Sequence, residues 1–303
     1  MKTRSPKLAS LRDLLDRLGT EASSSVEETR AGHDALGAAV PFPTDCTRET
    51  VSLGGVPTLK ITPPNAATGA AILFFHAGGY SSGSSVSHAA YHAAQCRAAR
   101  VTGYALDYRR APEHRFPAAI DDACTAYEAL LADGLAGQRI ILAGDSAGGG
   151  MSVAVTQYAL QNGRPLPGGV YAVSPWADLT LSGASYERRA GSDPLVTRQA
   201  LADLADLYLA GQDAGQPKAS PLFGRFEGFP PLLIDVGADE VLLSDALGLA
   251  ERAALAGSDV TLKVWPEMIH IFPWFFIELA DGRTAMAEAG AWMRRQLRLS
   301  VSE

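Results

Sequence analysis

The sequence predicts an α/β fold: an eight-stranded, mostly parallel sheet with helices on both faces and a helical cap. Three observations carry that expectation. Eight short strand-like runs recur at 49–54, 57–62, 71–75, 101–107, 139–143, 169–174, 231–236 and 260–265. Helical stretches separate the later ones, at 86–99, 117–132, 147–161, 244–256 and 284–297. Strands that alternate with helices build parallel sheets covered on both sides, and strands buried on both faces read as continuous apolar runs. The chain has 303 residues, 47% hydrophobic and 19% charged, enough to bury a core of that size.

Taken in order, residues 7–19 and 26–38 read as two helices. In the first, Leu11, Leu14, Leu15 and Leu18 form a stripe among Arg12, Asp13, Asp16 and Arg17, so this helix must pack on something. The runs 49–54 and 57–62 are too close for a crossover and are expected to pair as a hairpin through Gly54-Gly55. Between about Asp178 and Pro217 the rhythm breaks into helix and loop, for instance 197–210, which reads as an insertion over the sheet. The expected organisation is therefore an N-terminal part of the cap at 1–45, core at 46–177, a cap insertion at 178–217 and core again at 218–303. No internal repeat or linker marks a second domain.

Composition removes several function classes. The net charge is −7 and no Lys/Arg run offers a basic face, which argues against a nucleic-acid partner. Met1-Lys2-Thr3-Arg4 is followed by an amphipathic stretch rather than an apolar one, and no apolar run is long enough to span a bilayer. The expectation is a soluble, cytoplasmic protein with no membrane partner. Cys46, Cys96 and Cys124 are odd in number and far apart, which suits free thiols and neither a disulfide framework nor a zinc site. His88 and His92 have the i, i+4 spacing of a metal pair, but no third ligand lies in evident range. They are expected on the surface.

The chemistry is carried by Gly144-Asp145-Ser146-Ala147-Gly148, a Gly-x-Ser-x-Gly pentapeptide. The pattern alone is weak, and Gly79-Tyr80-Ser81-Ser82-Gly83 fits it as well. Context separates the two. A nucleophile elbow needs a strand running into the first glycine and a helix leaving just after the serine. Arg139-Ile140-Ile141-Leu142-Ala143 leads straight into Gly144, and a helix opening with Gly148, Gly149 and Gly150 follows Ser146, whereas Ser81 lies in a long Gly/Ser loop. A serine hydroxyl is a poor nucleophile without a base. In the elbow fold the chain order is serine, acid, histidine. Of six histidines only His270 follows Ser146; His33, His76, His88, His92 and His114 precede it. Two acids fit the remaining place. Asp239 follows the strand Leu232-Leu233-Ile234-Asp235-Val236, and Asp178 follows the strand ending near Ser174. Placement in the tight loop Gly237-Ala238-Asp239 favours Asp239. Its role would be to hold the imidazole tautomer and stabilise the imidazolium. Backbone amides near Gly78 and Gly79, with that of Ala147, are candidates for binding a developing oxyanion.

These residues, in this order, resemble the hormone-sensitive-lipase-like branch of the α/β-hydrolases, the microbial family IV carboxylesterases related to arylacetamide deacetylase. The resemblance rests on His76-Ala77-Gly78-Gly79-Tyr80, on Asp107 to His114 with Phe116 to Ala119, and on Gly144 to Gly149. Ser174-Pro175-Trp176, Pro230 to Leu233, Gly237 to Glu240 and Met268-Ile269-His270 complete it. It implies the α/β-hydrolase fold, a Ser146–Asp239–His270 triad, an oxyanion hole of Gly78, Gly79 and Ala147, and His76 as a loop support. It implies hydrolysis of short-chain acyl esters without a metal or organic cofactor, and a possible homodimer through sheet edges. Two departures stand out: Ala77 takes the first glycine place of the family's His-Gly-Gly-Gly pattern, and Arg110 stands where an apolar residue is usual. An alanine at positive φ is strained, so the loop is expected to differ at Ala77. The alternatives are an amidase using the same triad and a non-catalytic ligand-binding protein on the same scaffold.

Overall fold

The computed structural model describes residues 6–20, with side chains to 15, and residues 25–299. Met1 to Arg4 and the side chain of Leu18 lie outside the described residues. Two helices, α1 (Pro6–Thr20) and α2 (Val26–Ala39), precede the sheet. The strands are β1 (Thr47–Leu53), β2 (Val56–Thr62), β3 (Ala67–Phe75), β4 (Val101–Leu106), β5 (Ile140–Asp145), β6 (Gly169–Val173), β7 (Leu232–Gly237) and β8 (Val260–Trp265). The later helices are α3 (Ala89–Ala99), α4 (Ala118–Ala132), α5 (Ala147–Gln161), α6 (Ser185–Arg188), α7 (Arg198–Leu209), α8 (Leu243–Leu255) and α9 (Ala280–Gln296).

All eight strands join one sheet in the order β1-β2-β4-β3-β5-β6-β7-β8. β1 and β2 form the expected hairpin, with Leu53 opposite Val56 across Gly54-Gly55. β2 runs antiparallel to β4, and every pairing from β4 to β8 is parallel. Every residue of β5, β6 and β7 is buried, which is why their sequences are continuous apolar runs. The period of two still sorts the side chains. Ile140 and Leu142 of β5 pack with α4 and α5 on one face. Ile141 and Ala143 pack with Ala93 and Cys96 of α3 and Trp292 and Met293 of α9 on the other. α8 covers β6 and β7 through Ala246, Leu249 and Ala253, on the same face as α5. Each fully buried Leu, Ile or Val contributes about 1.5–3 kcal/mol of transfer free energy, so these layers hold the sheet in place under the site.

Several details depart from expectation. α3 begins at Ala89 rather than 86, because Ser84 and Ser87 close a turn on each other's backbone and side chains just before it. His88 and His92 are buried, not surface residues. α3 packs on both the sheet and the neighbouring α9, so that His92 stacks on Phe74 at 4.2 Å and His88 bonds Asp145 at 3.1 Å. α9 begins at Ala280, ahead of the expected 284. In α1 the buried face is Leu8, Leu11 and Arg12, with Leu15 half-buried and Leu14 46% exposed. Positions i, i+3, i+4 and i+7 define that face, and Arg12 sits on it. The three cysteines are free thiols, all buried. No helix among the described residues is long and apolar enough to cross a membrane.

Candidate active site

The nucleophile turn forms where β5 meets α5. Ser146 takes φ 56°, ψ −121°, a strained conformation for a residue with a Cβ. Neighbouring backbone holds it there. The Ser146 amide donates to Val173 O at 2.9 Å, and the Ser146 carbonyl accepts from Gly150 at 3.1 Å and Trp176 at 2.9 Å. Glycine at 148 is required by close approach: a Cβ there would lie 1.9 Å from the Phe75 carbonyl oxygen. The elbow thus presses directly on the end of β3, and that contact brings the following loop beside Ser146.

That loop, residues 76–83, carries the expected amide donors. Gly78 and Gly79 adopt φ of 119° and 59°, while Ala77 keeps clear of positive φ. The left-handed positions of the loop are Gly78, Gly79, Tyr80 and Gly83, so the alanine at the first place imposes no strain, contrary to expectation, and the one side chain held at positive φ is Tyr80. A Cβ on Gly78 would lie 2.2 Å from the Ser82 carbonyl oxygen, so the loop also folds tightly on itself. His76 supports it from below. Its Nδ1 lies 2.7 Å from Ala77 O, its ring stacks on Tyr108 at 4.1 Å, and Tyr108 donates to His76 O at 2.9 Å. Burial, with the nearby His88, holds His76 well below the ordinary imidazole pKa, so it stays neutral and its Nδ1–H donates to the carbonyl. Arg110, the other departure, donates to Gly83 O and ties the far end of the same loop. The second pentapeptide serine, Ser81, donates its hydroxyl to Gly78 O at 3.3 Å, a structural bond within the loop.

His270 follows β8 in the loop 266–271 and is buried. Its Nδ1 meets Glu240 Oε2 at 3.0 Å. The expected acid, Asp239, is elsewhere: its Oδ2 accepts from Arg12 at 2.5 Å. The carboxylate that meets His270 is therefore Glu240, one residue beyond the expected Asp239. The turn after β7 bonds Asp239 N–H to Met268 O at 3.2 Å and the Glu240 N–H back to Gly237 O at 3.4 Å. Adjacent side chains in such a turn leave in different directions, and the inward one is the glutamate. Glu240 is fixed by its other oxygen, Oε1, which accepts from Ser174 Oγ at 2.7 Å and the Gly237 amide at 2.5 Å. Ser174 in turn accepts from the Ile271 amide at 3.0 Å, so one hydroxyl braces both the acid and the histidine loop. Asp178, the other candidate, is turned away. Its oxygens accept from Thr180 and Ser182 in a local turn.

Asp193, a residue the sequence reading did not single out, completes the buried group. It accepts from the His270 amide at 3.1 Å and the Leu195 amide at 2.9 Å. Burial raises its pKa to about 6, against the opposing pull of His270, with the Glu240 charge adding to the rise. For His270, burial disfavours the imidazolium, but the hydrogen bond and charge of Glu240, with Asp193 behind it, outweigh that and raise the pKa. Asp193, Glu240 and His270 offer one ligand atom each within 4.8 Å of one another. All four carboxylate oxygens already accept hydrogen bonds from the protein, and Nδ1 is occupied, so the group is spent on its own network rather than arranged for a metal.

Ser146, His270, Gly78 and Gly79 line one cavity of about 350 Å³. Its opposite wall is apolar, from Leu201, Leu204 and Leu207 of α7 with Leu195 and Val196 before it, and α2 adds Val26, Thr29 and His33. A wider surface depression of about 680 Å³ around Phe223 and Arg252 is lined by no serine, cysteine or histidine.

Residues 72–274 match the family model described as alpha/beta hydrolase fold. The chain belongs to the α/β-hydrolase family. Among solved structures it is similar to an esterase of the bacterial hormone-sensitive lipase family, with TM-score 0.95 and 37% identity over 97% of this chain and 99% of that one. Among curated proteins it is 40% identical to an acetyl-hydrolase of Streptomyces hygroscopicus, covering 96% of this chain and 97% of the relative. It is 32% identical to an esterase of Acinetobacter venetianus, with 78% of each chain covered. These likenesses place this α/β-hydrolase in the hormone-sensitive-lipase-like branch that its motifs resemble.

Proposed function

We propose that Ser146, His270 and Glu240 are the catalytic triad of this α/β-hydrolase, with the amides of Gly78, Gly79 and Ala147 as its oxyanion hole. The protein is a carboxylic ester hydrolase. His270 takes the proton of Ser146 Oγ as the oxygen attacks the ester carbonyl. The tetrahedral oxyanion gains the amide donors, and its collapse expels the alcohol, which receives the proton back from His270. Water then enters and attacks the acyl-enzyme while giving a proton to His270; the acid leaves as His270 returns that proton to Ser146 Oγ. Glu240 keeps the Nδ1–H tautomer and stabilises the imidazolium without itself becoming protonated. The observation that carries this reading is the Glu240–His270 bond of 3.0 Å beside the cavity that Ser146 shares with His270.

The preferred substrates are short acyl esters. A cavity of about 350 Å³ closed by leucines suits a small acyl group and a modest alcohol. Helices α1 and α2 with residues 178–217 act as the cap that sets this limit, and the acetyl-hydrolase relative agrees with it. The test is a series of p-nitrophenyl esters on the wild type and Ser146→Ala. Activity should peak between acetate and butyrate, and the variant should lose roughly 10⁶-fold in kcat with an unchanged circular dichroism spectrum. A folded Ser146→Ala protein of full activity would refute the triad. A maximum at decanoate or beyond would refute the short-chain preference.

A further inference from the structure

The sequence places Arg12 among the charged residues of an amphipathic helix, yet the structure buries it. Its side chain is only 10% exposed, on the same face as Leu8 and Leu11. Burying a guanidinium is costly unless its donors are used and its charge is paired. Among the described residues, three acceptors meet it. Nη1 donates to Ser192 O at 2.7 Å, and Nη2 donates to Asp239 Oδ2 at 2.5 Å and to Glu267 O at 2.8 Å.

The identity of those acceptors is informative. Ser192 immediately precedes Asp193, which holds the His270 amide. Asp239 immediately precedes Glu240, which holds His270 Nδ1. Glu267 opens the turn that delivers His270 itself, and its φ of 64° makes that turn strained. One planar, rigid fork thus touches three of the segments that fix the imidazole, each within three residues of the atom it must place. A lysine could reach one of these acceptors as a point charge, but it lacks the fixed spread of donors.

We propose that Arg12 is a positioning residue for the catalytic base, so that helix α1 contributes to catalysis as well as covering the site. The proposal rests on His270 being that base. Arg12 touches no reacting atom. It sets the distance and angle of His270 to Ser146 by locking the three segments to one another, and a small displacement at that step is costly in rate.

The experiment compares wild type, Arg12→Met and Arg12→Lys. A fluorophosphonate serves as covalent probe of Ser146, and p-nitrophenyl acetate as substrate. Labelling stoichiometry counts folded sites, and labelling rate reports how well the serine is activated. Arg12→Met should label to full stoichiometry, about 10–100-fold more slowly, with kcat reduced by the same factor and KM within about threefold of wild type. Arg12→Lys should fall between the two. Labelling of Arg12→Met at the wild-type rate would overturn the proposal, as would a loss confined to KM. If Arg12→Met does not fold, Arg12→Lys decides: an intermediate rate supports the fork, and a wild-type rate shows that a charge on Asp239 suffices. Failure of the triad itself would look different, because wild type would then not be labelled at Ser146 at all.

Discussion

The two sides of the catalytic cavity are built by different means. On the nucleophile side, Ser146 and the glycine loop are held by main chain. Three backbone hydrogen bonds fix Ser146, and the Gly148 backbone presses against the end of β3 without room for a methyl group. On the base side, His270 is held by side chains gathered from four stretches of chain. Glu240 takes its Nδ1, Asp193 its amide, Ser174 the next amide, and Arg12 ties Ser192, Asp239 and Glu267 together. The nucleophile side is a property of one strand–turn–helix unit. The base side exists only once the whole fold has closed.

The sharpest way to break this comparison lies in two adjacent carboxylates. Glu240→Gln keeps the size of the side chain but removes the charge that stabilises the imidazolium and sets its tautomer. The expected loss in kcat is roughly 10³–10⁴, or about 4–5.5 kcal/mol of barrier. The acid limb of kcat/KM should also move to lower pH, because the bond and charge of Glu240 are what raise His270. Asp239→Asn leaves a carbonyl oxygen to accept from Arg12 but removes the charge paired with the guanidinium, and should cost about tenfold or less. Steady-state kinetics from pH 5 to 9 on both variants decide the matter; the reverse ranking would return the acid's role to Asp239.

The next effect belongs to the nucleophile side and concerns stability. Gly148→Ala forces a methyl group to 1.9 Å from the Phe75 carbonyl oxygen, where only backbone movement can relieve the clash. Such overpacking should cost about 3 kcal/mol or more, read as a drop in urea midpoint, and should displace Ser146 along with α5. A variant with the wild-type midpoint would mean that the elbow is softer than its contacts indicate.

The same contrast explains what the sequence could and could not convey. The eight strands, the hairpin at Gly54-Gly55 and the Ser146 elbow are legible because each is written in a continuous run of residues whose spacing reflects its own geometry. His270 was legible by elimination, since topology leaves one histidine after Ser146. The carboxylate that meets His270 stands one place beyond the expected Asp239, because Asp239 and Glu240 occupy the same turn and the bonds made by Arg12 and Ser174 decide which points inward. Asp193 gives no local signal, lying in a segment without regular strands. Arg12 did carry one: with Leu8, Leu11 and Leu15 it falls at i, i+3, i+4 and i+7, so a charge on the apolar face was visible in the spacing. The burial of His88 and His92 is not legible in their spacing because it comes from helix α3 packing on both the sheet and α9, a fact no single segment contains.

The smallest effect tests the base side through its protons. Asp193 is buried and its pKa is raised to about 6, so the folded protein holds a proton there that an unfolded chain, near 3.8, has released. Between those values the folded state binds more protons than the unfolded one, and stability must fall as pH rises from about 4 to 6. His270, also raised, acts in the same direction at higher pH: the stability it contributes is present below its unfolded value and is lost as pH rises through its folded one. Asp193→Asn abolishes the first contribution and forfeits one of two backbone acceptor bonds, a penalty that does not vary with pH. Buried groups such as Asp235, whose pKa is also raised to about 6, are shared by both proteins and cancel in the difference. Urea unfolding at pH 4.5 and 6.5 should therefore show wild type losing on the order of 1–3 kcal/mol relative to Asp193→Asn over that interval. Parallel pH profiles would mean that Asp193 stays ionised throughout, with its two amide bonds compensating fully for its burial.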